Sequence, residues 1–491
     1  MDNKRQPATS TSSTSSASSP SRRVFLAGSA SVGAGVVGGG WLLSPAGAAG
    51  LDNSERWPVG PGRANRPQPP DADLRRILAA IDRRRIEANV RTLASFGTRH
   101  TLSSQDDPER GIGAARDWIL ATLQEYAAPS NGRMTVELQS YIQEPAPRIP
   151  TPTRITNVIA TLRGSAQAER VYVVSGHYDS RVTDVMNFTD DSPGADDDAS
   201  GVAVSMELAR VMAEFEPEVT IVFAAVAGEE QGLFGSAHMA QTFLDAGTDV
   251  QGMFTNDIVG SSTADDGTRD RRSLRLFAEG VPTDESPAEA NIRRAVGGEK
   301  DSPARQLARF VTEVADNQQT GMDVQVVYRR DRYLRGGDQI PFLERGYPAA
   351  RFTEPHEDFA HQHQDVRVEN GVQFGDLPEF CDFDYIARVA RVNAATLWSL
   401  ANGPGTPKNA RILTAALTNN TDLTWDANPE SGTRYEVVWR PTLEDDWTHV
   451  IDVGTATQVS VDLSKDNAFF GVRAVDGDGH RSPVVFPTPQ S

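Results

Sequence analysis

Three apolar runs in this chain each break into acidic or histidine residues. They are "RVYVVSGHYDS" (170–180), "EVTIVFAAVAGEE" (218–230) and "GMFTNDIVG" (252–260). Between them, "SGVAVSMELARVMAEF" (200–215) and "GSAHMAQTFLDAG" (235–247) carry apolar residues at helical spacing. Unbroken apolar strands alternating with helices imply an α/β domain whose mostly parallel sheet is covered by helices on its faces. In such sheets the ligand site lies beyond the carboxyl ends of the strands, where the polar clusters of this chain fall. Further helices are expected over 72–96 and 112–127, and strands over 134–142 and 156–164. Ser200 is a candidate N-cap for the helix that follows it.

The chemistry concentrates at those strand ends. "PGADDDASG" (193–201) sets Asp196, Asp197 and Asp198 side by side, which repel one another unless a cation offsets them. His177 and Asp179 are two apart on a strand and face the same way. One can bind a metal while the other accepts the second ring N–H. Glu229 and Glu230 are neighbours and point apart, so one suits a ligand and the other a general base. Asp257 ends the third run, and His361 sits in "FAHQHQD" (359–365). Singly these residues read as a structural histidine pair or solvated strand ends. Jointly, a mixed histidine and carboxylate set suits zinc or a similar divalent ion.

The stretches "GHYDS", "PGADDDASGVA", "AGEEQGLFGS", "NDIVG" and "FAHQHQD" occur in that order and together resemble the signature of the M28 peptidases, the dinuclear zinc aminopeptidases. The resemblance spans roughly 72–403. It implies two Zn²⁺ per chain: His177 and Asp257 on one, Glu230 and His361 on the other, with Asp197 bridging. It implies Glu229 as general base and acid, Asp179 as the residue orienting His177, and a cis bond between Asp197 and Asp198. Asp196 and Asp198 then serve backbone or solvent. Two dications against three carboxylates and a hydroxide leave a neutral site.

His361 is preferred over His363 because the family places its ligand four residues before an Asp, here Asp365, and His356 is a weaker rival. Where some members carry a tyrosine before the last histidine, this chain has Ala360, so oxyanion stabilisation falls to an Arg or Tyr within "VVYRRDRYLRGG" (326–337). The substrate-side disulfide of some members cannot form, because Cys381 is the single cysteine. The substrates implied are peptides with a free N-terminus. The alternatives are an acylase or carboxypeptidase-type amide hydrolase, a single-zinc glutaminyl cyclase-like transferase, or a non-catalytic binding protein on the same fold.

Elsewhere the chain divides by composition. Residues 1–48 read as a twin-arginine export signal: Arg22–Arg23 precede a mildly apolar, Gly-rich run that ends in the small-residue site "AGA" (46–48). A secreted, periplasmic or cell-surface protein is expected, touching a membrane only if the signal stays uncleaved. Residues 49–71 form a linker or arm, 72–403 the zinc peptidase domain, and 404–408 a second linker. Residues 409–491 form a small antiparallel β-sandwich that resembles a fibronectin type III module, with Trp425, Trp439 and Trp447 filling its core. A structural or spacer role is the expectation for that module. His238, His449 and His480 read as packing or surface residues, and His100 as a residue that could line the cleft. The formal charge of −19 excludes nucleic acid as a partner, since phosphate binding needs a basic surface.

Overall fold

The structure is a computed structural model that describes residues 57–491. The helical pattern expected over 72–96 is two helices, α1 (Ala72–Ala80) and α2 (Arg83–Ser95). The break comes at Asp82, which is extended and accepts a hydrogen bond from the Arg84 N–H as an N-cap. α3 (Ile112–Ala127) follows, then the strands β2 (Met134–Gln143), β3 (Thr153–Leu162) and β4 (Gln167–His177), numbered after a two-residue strand β1 (Arg63–Ala64) in the arm. The chain continues through α4 (Gly201–Met212), β5 (Val219–Val226), the one-turn α5 (Glu229–Gly232), α6 (Phe234–Ala246) and β6 (Asp249–Asn256). Next come β7 (Ser273–Phe277), α7 (Pro287–Val296), α8 (Pro303–Ala315), β8 (Asp323–Val327), the short α9 (Ile340–Leu343) and β9 (Ala349–Thr353). A small hairpin, β10 (Arg367–Glu369) and β11 (Val372–Phe374), precedes the long α10 (Phe383–Ala401).

Eight strands form one mixed sheet in the order β2-β3-β5-β4-β6-β9-β7-β8. The central four, β5, β4, β6 and β9, are mutually parallel. β2 and β3 run antiparallel at one edge; β7 pairs antiparallel with β9 and parallel with β8 at the other. Every residue of β5 is buried, as an unbroken apolar run requires when helices cover both faces, whereas edge strand β2 alternates between covered and open positions. One face carries the larger core, with side chains from α1, α2, α3, α4, α8 and α10. The other is closed by α6 and α9 through Met239, Ala240, Phe342 and Leu343.

The C-terminal segment holds β12 (Arg411–Leu413), β13 (Thr421–Thr424), β14 (Arg434–Pro441), β15 (His449–Gly454), β16 (Gln458–Val461), β17 (Ala468–Val475) and β18 (Thr488–Gln490). They make two four-stranded sheets, β1-β15-β14-β17 and β16-β13-β12-β18, around a core that includes Trp425 and Trp439. β12 and β18 pair in parallel, so the pattern is not wholly antiparallel. Trp447 lies outside that core in a separate cluster, and its indole N–H donates to Gln306 of α8.

The arm belongs to this module: β1 adds an edge strand to β15, and the Trp439 N–H donates to the Pro61 carbonyl. The module is also fastened to the α/β domain. Asp301 is fully buried between Arg309 and Arg440, at 2.8 and 2.7 Å. Arg473 joins Glu313 of α8 at 2.9 Å and Glu436 of the module at 2.7 Å. His480 bridges Asp476 (2.9 Å) and Asp71 (3.4 Å), the residue that caps α1.

Candidate metal centre

The acidic loop solves its own crowding by dividing labour. Asp198 spends its carboxylate on main chain, accepting from the N–H groups of His177 (2.9 Å), Gly201 (3.0 Å) and Ile258 (3.4 Å). Through Gly201 it serves the start of α4, a task expected of Ser200; the Ser200 hydroxyl instead donates to the Asp196 carbonyl. Asp196 accepts from Gly260 N–H at 2.6 Å, and Asp376 accepts from the N–H groups of Asp196 and Asp197 at 2.8 Å each. Asp197 and Asp198 are joined by a cis peptide bond. These contacts tie the loop to the ends of β4 and β6 and leave the Asp197 carboxylate aimed elsewhere. Close approach requires glycine here: a Cβ on Gly201 would lie 2.2 Å from the Asn256 carbonyl oxygen.

Asp197 stands between two groups of ligand atoms. On one side are His177, at the end of β4, and Asp257, just past β6; His177 Nε2 is 3.0 Å from Asp197 Oδ1 and 3.9 Å from Asp257 Oδ1. On the other side are Glu230 of α5 and His363; His363 Nε2 is 2.8 Å from Asp197 Oδ2 and 3.0 Å from Glu230 Oε1. Within each triad, His177–Asp197–Asp257 and Asp197–Glu230–His363, one ligand atom per residue lies within 4.8 Å of the others. The donor set fits a pair of metal ions. Glu230 Oε1 and His363 Nε2 are buried and 3.0 Å apart yet make no hydrogen bond to each other or to any other group, which is costly unless a cation satisfies them. Burial opposes ionisation of Asp197, yet the facing His363 and His177 rings hold its carboxyl well below the usual range.

Glu229 heads α5 beside Glu230. Burial pushes its carboxyl well above the usual range, and Asp257, Glu230 and Asp338 add to that push. Asp179 is wholly buried and does more than was expected of it. His177 Nδ1 is 3.1 Å from the Asp179 main-chain carbonyl and 3.6 Å from its carboxylate, so the carbonyl is the nearer orienting group. The carboxylate accepts from Thr101 Oγ1 (2.9 Å) and from the main-chain N–H groups of Glu229 (3.3 Å) and Glu230 (3.2 Å). It therefore clamps the turn that carries both glutamates. Arg351 of β9, fully buried, lies 2.7 Å from Asp257 Oδ1. Thr101, Arg351 and Asp376 carry no motif, and only the fold brings them here.

The structure corrects one ligand expectation: His363, not His361, joins the centre. The rule of four residues before an Asp fails because the intervening chain is not regular. A turn at Asp358, which accepts from the N–H groups of Ala360 and His361, sends the His361 ring away from the metal ligands. That ring stacks on Phe380 at 3.5 Å between centroids, and its Nδ1 meets Asp358 at 3.0 Å. His363 then enters the site from a left-handed backbone conformation (φ 53°). The residue before the ligand is thus Gln362 rather than Ala360.

Four other histidines have defined places. His100 is buried, with its ring nitrogen 2.9 Å from the Val185 carbonyl. His238 stacks on Tyr141, and His449 stacks on Trp439. His480 is the interdomain bridge described above rather than a surface residue.

Residues 157–370 match the family model for peptidase family M28. A probable zinc metalloprotease of Pyrenophora teres f. teres is 56% identical over 426 residues, which cover 86% of this chain and 88% of the relative. One from Leptosphaeria maculans is 56% identical over 421 residues, covering 86% and 98%. One from Pyricularia oryzae is 55% identical over 429 residues, covering 86% of each. The chain belongs to peptidase family M28. Matches of that length exceed residues 72–403 and so take in sequence outside the α/β domain. Among solved structures, LapB from Legionella pneumophila superposes with a TM-score of 0.47 at 18% identity, covering 69% of this chain and 78% of that one.

Proposed function

We propose that this chain is an exported metallo-aminopeptidase that removes N-terminal residues from peptides with two Zn²⁺ ions and a glutamate base. The observation that carries this reading is Asp197, which offers one carboxylate oxygen to each of two ligand triads. His177 and Asp257 would hold one ion, Glu230 and His363 the other, and Asp197 both. Bound there, the ions acidify water and polarise an amide carbonyl.

The chain's own residues supply the rest. Glu229 takes a proton as water attacks the scissile carbonyl and hands it to the departing amine. Its raised proton affinity suits a group that must hold a proton between those events. Asp179 fixes Glu229 relative to Glu230 by holding both N–H groups. Arg351 offsets charge at Asp257. A single-zinc cyclase needs one triad, and a binding protein needs neither the second triad nor Glu229; the presence of both candidate triads with Glu229 beside them favours the hydrolase reading.

The test uses the mature chain from about residue 49 with zinc, assayed on Leu-p-nitroanilide and its N-acetylated form. Chelator-sensitive cleavage of the free-amine substrate alone is expected. Cleavage of only the blocked substrate would transfer the chain to the acylase class. Export rests on Arg22–Arg23, which lie outside the described residues; replacing both by Lys is expected to keep the precursor inside the cell.

A further inference from the structure

Helix α7 is amphipathic but buries nothing. Glu289, Ile292, Arg293 and Val296 recur at three- and four-residue spacing and so share one face. Such a face is ordinarily covered by the rest of the fold. Yet no residue of α7 is buried, and Ile292 is 41% exposed. The helix is held by local means instead. Ser286 and Glu289 form a capping box at its start, and Gly297 closes its end in a left-handed conformation.

All four of those residues line a cleft of about 770 Å³. Other walls come from Val484 and Phe486 of the C-terminal module, from the first residues of β6, and from Tyr347 and Pro348 ahead of β9. The metal ligand Asp257 follows the far end of β6, an eight-residue strand. At roughly 3.3 Å per residue, about 26 Å of strand separates the cleft from the centre.

The charge in this cleft is unbalanced. Asp249, Glu279, Asp284 and Glu289 line it, and none of the four has an ion-pair partner among the described residues. Of the cations lining it, Arg293 is spent on Glu285 at 2.7 Å and Glu299 at 3.2 Å, which leaves Lys408. Glu279 is 7% exposed, and its carboxylate is met by the N–H and hydroxyl of Thr283. Burial pushes that carboxyl above its usual range, and the charge of Asp284 adds to the push. A cleft of one charge sign with apolar walls focuses the field and gathers counter-ions.

We propose that this cleft is a binding site for a small organic cation with an apolar body. The apolar part covers Ile292, Val296 and Phe486, and the cationic group meets Glu279, Asp284 and Glu289. The volume suits a small molecule. Because the walls come from both the α/β domain and the module, a bound cation stabilises their attachment. The site is independent of whatever the metal centre cleaves.

The test titrates zinc-loaded, full-length mature protein calorimetrically with decyltrimethylammonium and with decyl sulfate, both below micelle formation. The two share a tail and differ in the sign of the head. A quaternary ammonium also has no lone pair to offer a metal, so its binding reports on a site away from the centre. One cation per chain is expected to bind, at least about tenfold more tightly than the anion, and to raise Tm by a few degrees. Ile292→Asn changes an exposed side chain and is expected to weaken the cation about tenfold. Asp284→Asn, also at an exposed position, is expected to lower the preference for the cation, and adding Glu279→Gln to remove most of it.

Equal affinity for the two ions would overturn the proposal. So would several cations bound per chain with no effect of any variant, which would show detergent adsorption alone. A single cation that binds the unmodified and Ile292→Asn proteins alike would overturn it too, by placing the bound molecule elsewhere.

Discussion

The two triads of the candidate metal centre share Asp197 but are built by different means. His177 and Asp257 stand at the ends of adjacent parallel strands, each side chain 3% exposed or less. Behind them, Arg351 meets Asp257 and the main chain of Asp179 meets His177. Glu230 and His363 stand on a one-turn helix and an irregular loop, and the His363 side chain is 24% exposed. The first half is part of the sheet; the second depends on a loop that must fold back onto it. Hydrogen bonds fixed in a buried sheet open only with large parts of the fold, whereas loops open locally at lower cost. The strand-held half should therefore keep its ion longer and tolerate less substitution.

The largest effect is expected at the shared ligand. Asp197→Asn removes the one charge common to both triads and should abolish tight binding of both ions, with activity down at least about a thousandfold. Metal counted by elemental analysis checks this, and two retained equivalents would refute the bridging role.

Glu229→Gln should also cost about a hundred- to ten-thousandfold in kcat, the range for general acid–base residues, while both ions remain. Loss of metal in that variant would turn Glu229 into a ligand.

His363→Ala separates the halves. One equivalent should stay and one should leave, whereas His361→Ala should retain both and change activity by less than about threefold. If the two variants exchanged phenotypes, the assignment of His363 would be wrong. Graded chelation of the unmodified enzyme should likewise release the metal in two steps, the loop-held ion first.

The smallest effect is expected far from the centre, at a loop that is also held by charge. His480 between Asp476 and Asp71 has its pKa raised to about 10, from about 6.5 in an unfolded chain. A folded pKa above the unfolded one means that its contribution is full below about pH 6.5 and disappears as pH rises through about 10. His480→Gln should thus lower Tm by a few degrees at pH 6, and hardly at all above pH 10. An equal drop at both pH values would show that His480 acts by packing alone.

Much of this molecule is legible in its sequence. The buried strands β4, β5 and β6 announced themselves as apolar runs, because a strand covered on both faces has no polar alternation to hide it. His177 and Asp257 stand out with them, since a residue at a strand's end inherits its place from the strand; Asp197 and Glu230 are singled out among their acidic neighbours by the resemblance. The division of 72–96 into two helices was not, because helical periodicity continues through the Asp82 break. Nor was the attachment of the module through Asp301 and Arg440, residues 139 apart whose pairing leaves no local pattern.

The sequence by itself determined the class of fold and the sheet whose strand ends carry the acidic and histidine cluster. Those follow from short-range periodicity, whereas the choice of Asp197 among three aspartates and of Glu230 beside Glu229 comes from the resemblance to the M28 signature. Only the tertiary structure decided between His361 and His363. The choice depends on a turn at Asp358 and a left-handed residue at 363, and neither has a fixed relation to residue count. It also decided which charges gather around the ligands. Asp179, Arg351 and Asp376 come from separate elements, and a Coulomb interaction depends on distance in space, not along the chain.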